Sequence, residues 1–261
     1  MTRSSTTLPD RRAERHDVHV DAGHVARYSR LCGFPVRDEL PMPYPHLLAF
    51  PLQLRLLAQR DFPLPVLGAL HVRGSITVTR ALRLQDPLDV AVHARDLRPH
   101  RRGTQVDLVS EVSTGGEVAW RGVSTYLARG PEHPDVPADD SPEPPPDAPP
   151  AGPRWRLGQG TGRAYAAVSG DWNPIHVHPL GARAFGFPSA IAHGMYTYAR
   201  VLADLAPRLP AEGLTSTVWF RRPVPLPSSV RLRTAFAPGR TLSVVEAERG
   251  SARHAVVENT W

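Results

Sequence analysis

Residues 131–153, PEHPDVPADDSPEPPPDAPPAGP, hold ten prolines and six carboxylates but no arginine. So much proline leaves too few backbone donors for a helix or a central strand, and the stretch has almost no apolar groups to bury. It reads as an extended, semi-rigid linker. It divides the 261-residue chain into pieces of similar size, about 18–130 and 154–261, each long enough for its own core. Residues 1–17, polar and arginine-rich, read as a disordered N-terminal tail.

The two pieces repeat one order of elements. Tyr28-Ser-Arg-Leu-Cys32-Gly33 has the spacing of Tyr165-Ala-Ala-Val-Ser169-Gly170. A histidine and an apolar helical stretch follow each: His46-Leu-Leu-Ala-Phe in one, His193-Gly-Met-Tyr-Thr in the other. The first piece continues with runs that alternate as strands do, at 75–79, 88–94, 104–110 and 118–126. The second answers with 215–220, 230–236, 241–247 and 254–261. A helix followed by several antiparallel strands, twice over, implies a duplicated α+β fold. The stretch from His193 to Leu205 is apolar or small on nearly every face, so this helix belongs inside its sheet. In the first piece, a proline at 51 should break or kink the helix expected from Tyr44 through Gln59.

Composition narrows the classes of function. The chain has no lysine, so its 31 basic residues are all arginine. With the linker's six carboxylates set apart, 19 acidic residues remain, an arginine surplus of 12 on the parts that fold. The surplus favours anionic ligands. The arginines are scattered, with no basic run and no recognition motif, so nucleic acid is not expected. No apolar run approaches the ~18 residues of a membrane span, and the N-terminus lacks the apolar core of a secretory signal. Cys32 is the only cysteine, which suits a reducing compartment. A cytoplasmic protein is expected.

Reactive side chains concentrate in Ser169-Gly-Asp171-Trp-Asn173-Pro-Ile-His176. Asp171 and His176 are five apart, which would separate them on a helix, but Pro174 forces a turn and pushes Asn173 toward extended backbone. A turn can bring a carboxylate and an imidazole together, and the two can then move protons. Pro179 should start a short helix over 180–185. The histidines lack a recognisable ligand spacing, so neither a metal nor another cofactor is expected.

The run Tyr165-Ala-Ala-Val-Ser-Gly-Asp-Trp-Asn-Pro-Ile-His-Val-His-Pro, followed by Phe185-Gly-Phe-Pro-Ser-Ala-Ile-Ala-His-Gly-Met, resembles the motif of the MaoC-like, (R)-specific enoyl-CoA hydratases. The surrounding chain resembles their double hot-dog members, in which two fused units each wrap a sheet around a helix. The resemblance implies hydration and dehydration of acyl thioesters, with Asp171 and His176 as the catalytic pair. It places the backbone N–H of Gly194 against the thioester carbonyl, with Ser169, Asn173 and His193 in support. The substrate would be an acyl-CoA or acyl-carrier-protein thioester, and two such chains could pair as a homodimer of pseudo-dimers. An acyl thioesterase or a non-catalytic acyl-binding subunit of the same fold are the alternatives. Two departures stand out. His178 occupies a position where the family commonly has Asp, and Phe34 stands where the first half would match Asp171, with no Asn-Pro-x-His after it. The first half is therefore expected to be a degenerate unit, blank in chemistry, whose remodelled helix widens the acyl pocket.

Overall fold

The structure, a computed structural model, describes residues 7–65, 68–137, 141–143 and 152–261. Before the proline-rich stretch come β1 (Arg12–Val18), α1 (Ala22–Cys32), α2 (Pro45–Leu57), β2 (Leu70–Val78), β3 (Leu88–His100), β4 (Gly103–Thr114) and β5 (Glu117–Arg129). After it come β6 (Arg154–Leu157), α3 (Thr161–Ser169), α4 (Pro174–Val177), α5 (Pro179–Ala184), α6 (Gly194–Leu205), β7 (Leu214–Phe220), β8 (Ser228–Ala237), β9 (Arg240–Ala247) and β10 (Arg253–Thr260). The elements gather into two compact units: Met1–Val20 with Asp38–Asp140, and Asp21–Arg37 with Ser141–Trp261. Of the expected linker, 138–140 and 144–151 lie outside the described residues. Within 141–143, Glu143 pairs with Arg253 and Arg221 of the second unit.

The first unit is an antiparallel sheet in the order β1-β3-β4-β5-β2 with α2 packed against it. Leu57 at the end of α2 joins Phe62, Leu64, Val106, Leu108 and Tyr126 in one apolar cluster. Pro45 sits at the start of α2, where a missing N–H costs nothing. Of the break or kink expected at Pro51, the structure shows no break: the helix runs on through it. Pro51 lies on the exposed face, so the helix forgoes one hydrogen bond without forcing the ring into the core.

That core also holds polar groups. The rings of His46 and His71 stack at 6.1 Å, and His71 stacks on Tyr126 at 5.0 Å. The Tyr126 hydroxyl donates to Gln53 Oε1 at 3.0 Å, and Gln53 Nε2 donates to Ser110 Oγ at 3.0 Å. Burial holds both imidazoles below their ordinary range, His46 at about 4 and His71 at about 3.

The second unit repeats the plan in the order β7-β10-β9-β8-β6, with α6 inside it. Tyr198, Ala199, Val201 and Leu202 of α6 are buried, and the Tyr198 hydroxyl donates to the Ser216 carbonyl at 3.1 Å. Both units are hot-dog modules, and the chain is an α+β double hot-dog. The helix α1 precedes the proline-rich stretch in sequence yet packs in the second unit, beside α3. The two helices match in detail: each ends on a left-handed glycine, Gly33 at φ 89° and Gly170 at φ 75°, and Tyr28 meets Tyr165 between them.

At the N-terminus the structure corrects the expectation of a disordered tail through residue 17. Arg12–Val18 is an edge strand paired with Leu88–His93 of β3. Only Ala13 and Val18 of it are buried, so backbone pairing rather than an apolar face secures it. Residues 1–6 lie outside the described residues. Among the described residues, no helix is long and apolar enough to cross a membrane.

Two outcomes follow from these cores. Leu202→Ala should cost about 2–5 kcal/mol, the usual range for an unfilled core cavity, read as a lower urea midpoint. His46 and His71 bind protons more weakly folded than unfolded, so their contribution is present above about pH 6.5, the ordinary imidazole value. It is lost as pH falls toward their folded values of about 4 and about 3. The urea midpoint should therefore drop between pH 7 and pH 4.5, and drop less in His46→Phe.

Candidate active site

The site is built on the segment that links α3 to α6. After Gly170 turns the chain out of α3, three short contacts shape the loop. Asp171 N–H donates to Ser169 Oγ at 3.2 Å, Asn173 N–H donates to Asp171 Oδ1 at 3.2 Å, and Ile175 N–H donates to Asn173 Oδ1 at 3.3 Å. Asn173 thereby caps α4, with Pro174 at its first position and the extended backbone (φ −53°, ψ 126°) that a following proline demands. Ser169 and Asn173 act on the loop's shape.

His178 does for α5 what Asn173 does for α4. Its Nδ1 accepts from Leu180 N–H at 3.1 Å, and Pro179 opens the helix. A carboxylate at the same position would offer the same acceptor, so the departure from Asp keeps the cap.

The single turn α4 is clamped from both sides by glycines. A Cβ on Gly162 of α3 would stand 1.9 Å from the His176 carbonyl oxygen, and one on Gly181 of α5 would stand 2.7 Å from the Pro174 oxygen. Its third restraint is Ile191. Ile191 N–H donates to the Ile175 carbonyl at 3.0 Å, and His176 Nδ1 meets the Ile191 carbonyl at 2.8 Å. A carbonyl can only accept, so Nδ1 carries the proton and neutral His176 leaves Nε2 as a lone-pair base.

His193, just before α6, lies face to face with His176, centroids 3.8 Å apart and planes inclined 27°. Its Nε2 donates to the Asp171 main-chain carbonyl at 2.9 Å and sits 3.8 Å from the Asp171 carboxylate. Its Nδ1 has no hydrogen-bond partner among the described residues, so a second proton there would be unmet. Burial, reinforced by His176, holds its pKa well down, against the pull of the Asp171 carbonyl. His176 is also shifted down by burial, partly opposed by the Asp171 carboxylate and the Ile191 carbonyl. Two neutral imidazoles thus lie beside one carboxylate. The Asp171 side chain keeps 29% of its exposure.

Gly194 is the first residue of α6. His193 before it supplies no side-chain cap, so the first-turn N–H groups and the positive end of the helix dipole stay open beside the histidines. A Cβ there would meet the Phe220 ring at 2.9 Å.

The structure therefore brings Asp171, His176, His193 and Gly194 together and leaves Ser169 and Asn173 behind them as supports. Asp171, His176 and His193 have ligand atoms within 4.8 Å of one another, close enough for a metal. Imidazole lone pairs lie in the ring plane, however, and stacked rings aim them side by side rather than at a common point. That arrangement fits proton transfer better than ligation. Sequence reasoning missed the Ile191 carbonyl and Gly162. The first is a backbone group that any residue would offer, and the second is a small helix residue with no chemistry of its own.

Residues 140–252 match the model of the MaoC like domain. The chain is 39% identical over 236 residues to 3-hydroxyacyl-thioester dehydratase X of Mycobacterium tuberculosis, covering 89% of this chain and 82% of that protein. The chain belongs to the MaoC-like dehydratase family. The crystal structure of that mycobacterial protein, HtdX, superposes with a TM-score of 0.85 at 35% identity, over 95% of this chain and 99% of HtdX. A MaoC-like dehydratase of Phytophthora capsici shares the fold, with a TM-score of 0.81 at 17% identity over 97% of this chain and 96% of its own.

The clamp on α4 is testable without touching a reactive group. Gly162→Ala forces the His176 backbone to move, and overpacking of this kind costs about 1–3 kcal/mol. We expect a lower melting temperature together with a loss of turnover, measured on the same preparation. Full activity would mean that the position of α4 is not what sets the base.

Proposed function

We propose that this MaoC-like protein catalyses the reversible hydration of trans-2-enoyl thioesters to (R)-3-hydroxyacyl thioesters, acting as a hydro-lyase with one site per chain. The observation that carries the proposal is the state of His176: its Nδ1–H is committed to Ile191, its Nε2 is left without a partner among the described residues, and Asp171 and the open end of α6 adjoin it. The mycobacterial relative named as a 3-hydroxyacyl-thioester dehydratase supports the same chemistry.

In hydration, water held between His176 Nε2 and the Asp171 carboxylate adds its oxygen to Cβ while His176 takes its proton. The electron pair of the double bond moves through Cα onto the thioester oxygen. Gly194 N–H, at the positive end of α6, holds the resulting enolate. Glycine lets the carbonyl approach the backbone closely. The enolate collapses as Cα takes the proton that water lost, passed on from His176 through Asp171. Dehydration is the same path reversed. His193 holds the plane of the base by stacking and the position of Asp171 through its main chain.

In the first half, Phe34 stands at the position matching Asp171, and its ring stacks on Tyr28 at 6.4 Å. That contact is packing, which supports a single site. Either coenzyme A or an acyl carrier protein can present the substrate, and a free, buried Cys32 suits the cytoplasm.

The test follows loss of conjugated-thioester absorbance together with thiol release, using trans-2-enoyl-CoA. We expect absorbance loss without thiol. Thiol release would make the protein a thioesterase. Asp171→Asn and His176→Ala should each lower turnover by about 10²–10⁴-fold, the usual value of a general acid–base group, with the fold intact by circular dichroism.

The base must be neutral to accept water's proton. Because burial lowers the His176 pKa, kcat/KM for hydration should stay flat as pH falls past the ordinary imidazole range. Its acid limb should appear only below about pH 6.5.

A further inference from the structure

Trp172, Leu180 and Phe185 are 58%, 64% and 40% exposed. They are three of the eight exposed large apolar side chains among the described residues, and they fall within fourteen positions of one another. All three lie on the strap formed by the catalytic loop, α4 and α5. The strap is not loose: Asn173 and His178 cap its helices, and Gly181 brings α5 onto Pro174. These side chains are held in water by a rigid frame, at a cost in apolar exposure that the fold itself does not recover.

Along the strap itself, residues 172–185, the chain carries one arginine, Arg183, and no carboxylate. Arg183, exposed in the last turn of α5, has no ion-pair partner among the described residues. Arg163 is also exposed, and its Nε is fixed on the Val177 carbonyl at 2.9 Å.

We propose that this strap is the docking surface for an acidic carrier protein that presents the acyl chain as a phosphopantetheine thioester. The proposal rests on the hydratase reading above and names the partner of that same site. Three aliphatic and aromatic side chains, one on the loop and two on α5 and its end, suit the apolar face of a protein helix. A nucleotide would use one stacking ring and a cluster of phosphate-binding donors instead. Exposed Trp and Phe interleaved with Arg is the composition of protein-binding hot spots. Arginine without local acids complements an acidic partner and speeds its approach. The strap also begins at the residue after Asp171, so a carrier seated on it delivers its thioester arm beside the reacting groups.

The experiment compares one trans-2-enoyl chain on three leaving groups: a holo acyl carrier protein, coenzyme A and N-acetylcysteamine. Leu180→Glu and Arg183→Glu should each lower kcat/KM for the carrier-bound substrate about tenfold, the scale of one hot-spot side chain. The two small thioesters should be hydrated as before. Equal losses on all three substrates, a loss confined to the coenzyme A ester, or no loss at all would each overturn the proposal. Should the unaltered protein hydrate none of them, the hydratase reading fails. Docking is then judged by calorimetry with the holo carrier protein: binding that Arg183→Glu weakens supports the surface, and no binding removes it.

Discussion

Ile191 holds the site together through its two backbone groups. Its N–H donates to Ile175 and its carbonyl accepts from His176, so the two peptide units that flank it dock α4 and also choose the tautomer of the His176 imidazole. Each of these peptides is itself fixed from its other side. Ala192 N–H donates to the Val224 carbonyl at 2.9 Å, and Leu226 N–H donates to the Ala190 carbonyl at 2.8 Å. His176 thus inherits its position from a backbone ladder that no side-chain exchange removes directly. Backbone groups so placed need no reorganisation when charge develops.

A backbone-set site demands close approach, and close approach demands small residues. Gly162, Gly181 and Gly194 each stand where a Cβ would strike the site's own framework: the His176 oxygen, the Pro174 oxygen and the Phe220 ring. None of the three has a positive φ. Space and not conformational freedom selects them, which separates them from Gly33 and Gly170, whose left-handed backbones end helices. The compactness also explains the electrostatics. With α3, α5 and the Ile191 segment against it, His176 loses solvent, and the burial that lowers its pKa keeps it a free base.

Strong local patterns were legible in the sequence. Alternation located β2 to β5 and β7 to β10, because each has a buried face of its own. It missed β1 and β6, edge strands in which only Ala13 and Val18, or Trp155 and Leu157, turn inward. Such strands are secured by a partner's backbone, which leaves little mark in composition. The Asp171, Asn173 and His176 loop was readable because proline and capping residues act over two or three positions. The Ile191 clip and the packing of α1 beside α3 were not, because both join residues far apart in sequence. The tail through residue 17 was misjudged for the same reason.

The pairing of α1 with α3 sets two helices of one pattern side by side. Both helices keep the same tyrosine and the same terminal glycine, and both lie in the unit that carries the reactive groups. Past those glycines they diverge, one into Phe34, whose ring lies on Tyr28, and the other into Asp171, whose carboxylate keeps partial access to water. The tyrosines are held by packing against each other, and the glycines by the left-handed turn that ends each helix. The residue after the glycine answers only to what it faces. An apolar ring there adds to the packing around Tyr28, whereas a carboxylate earns its place only with a histidine and an open helix end beside it. A chain with one such pair can lose the second carboxylate without losing the frame that positions the first.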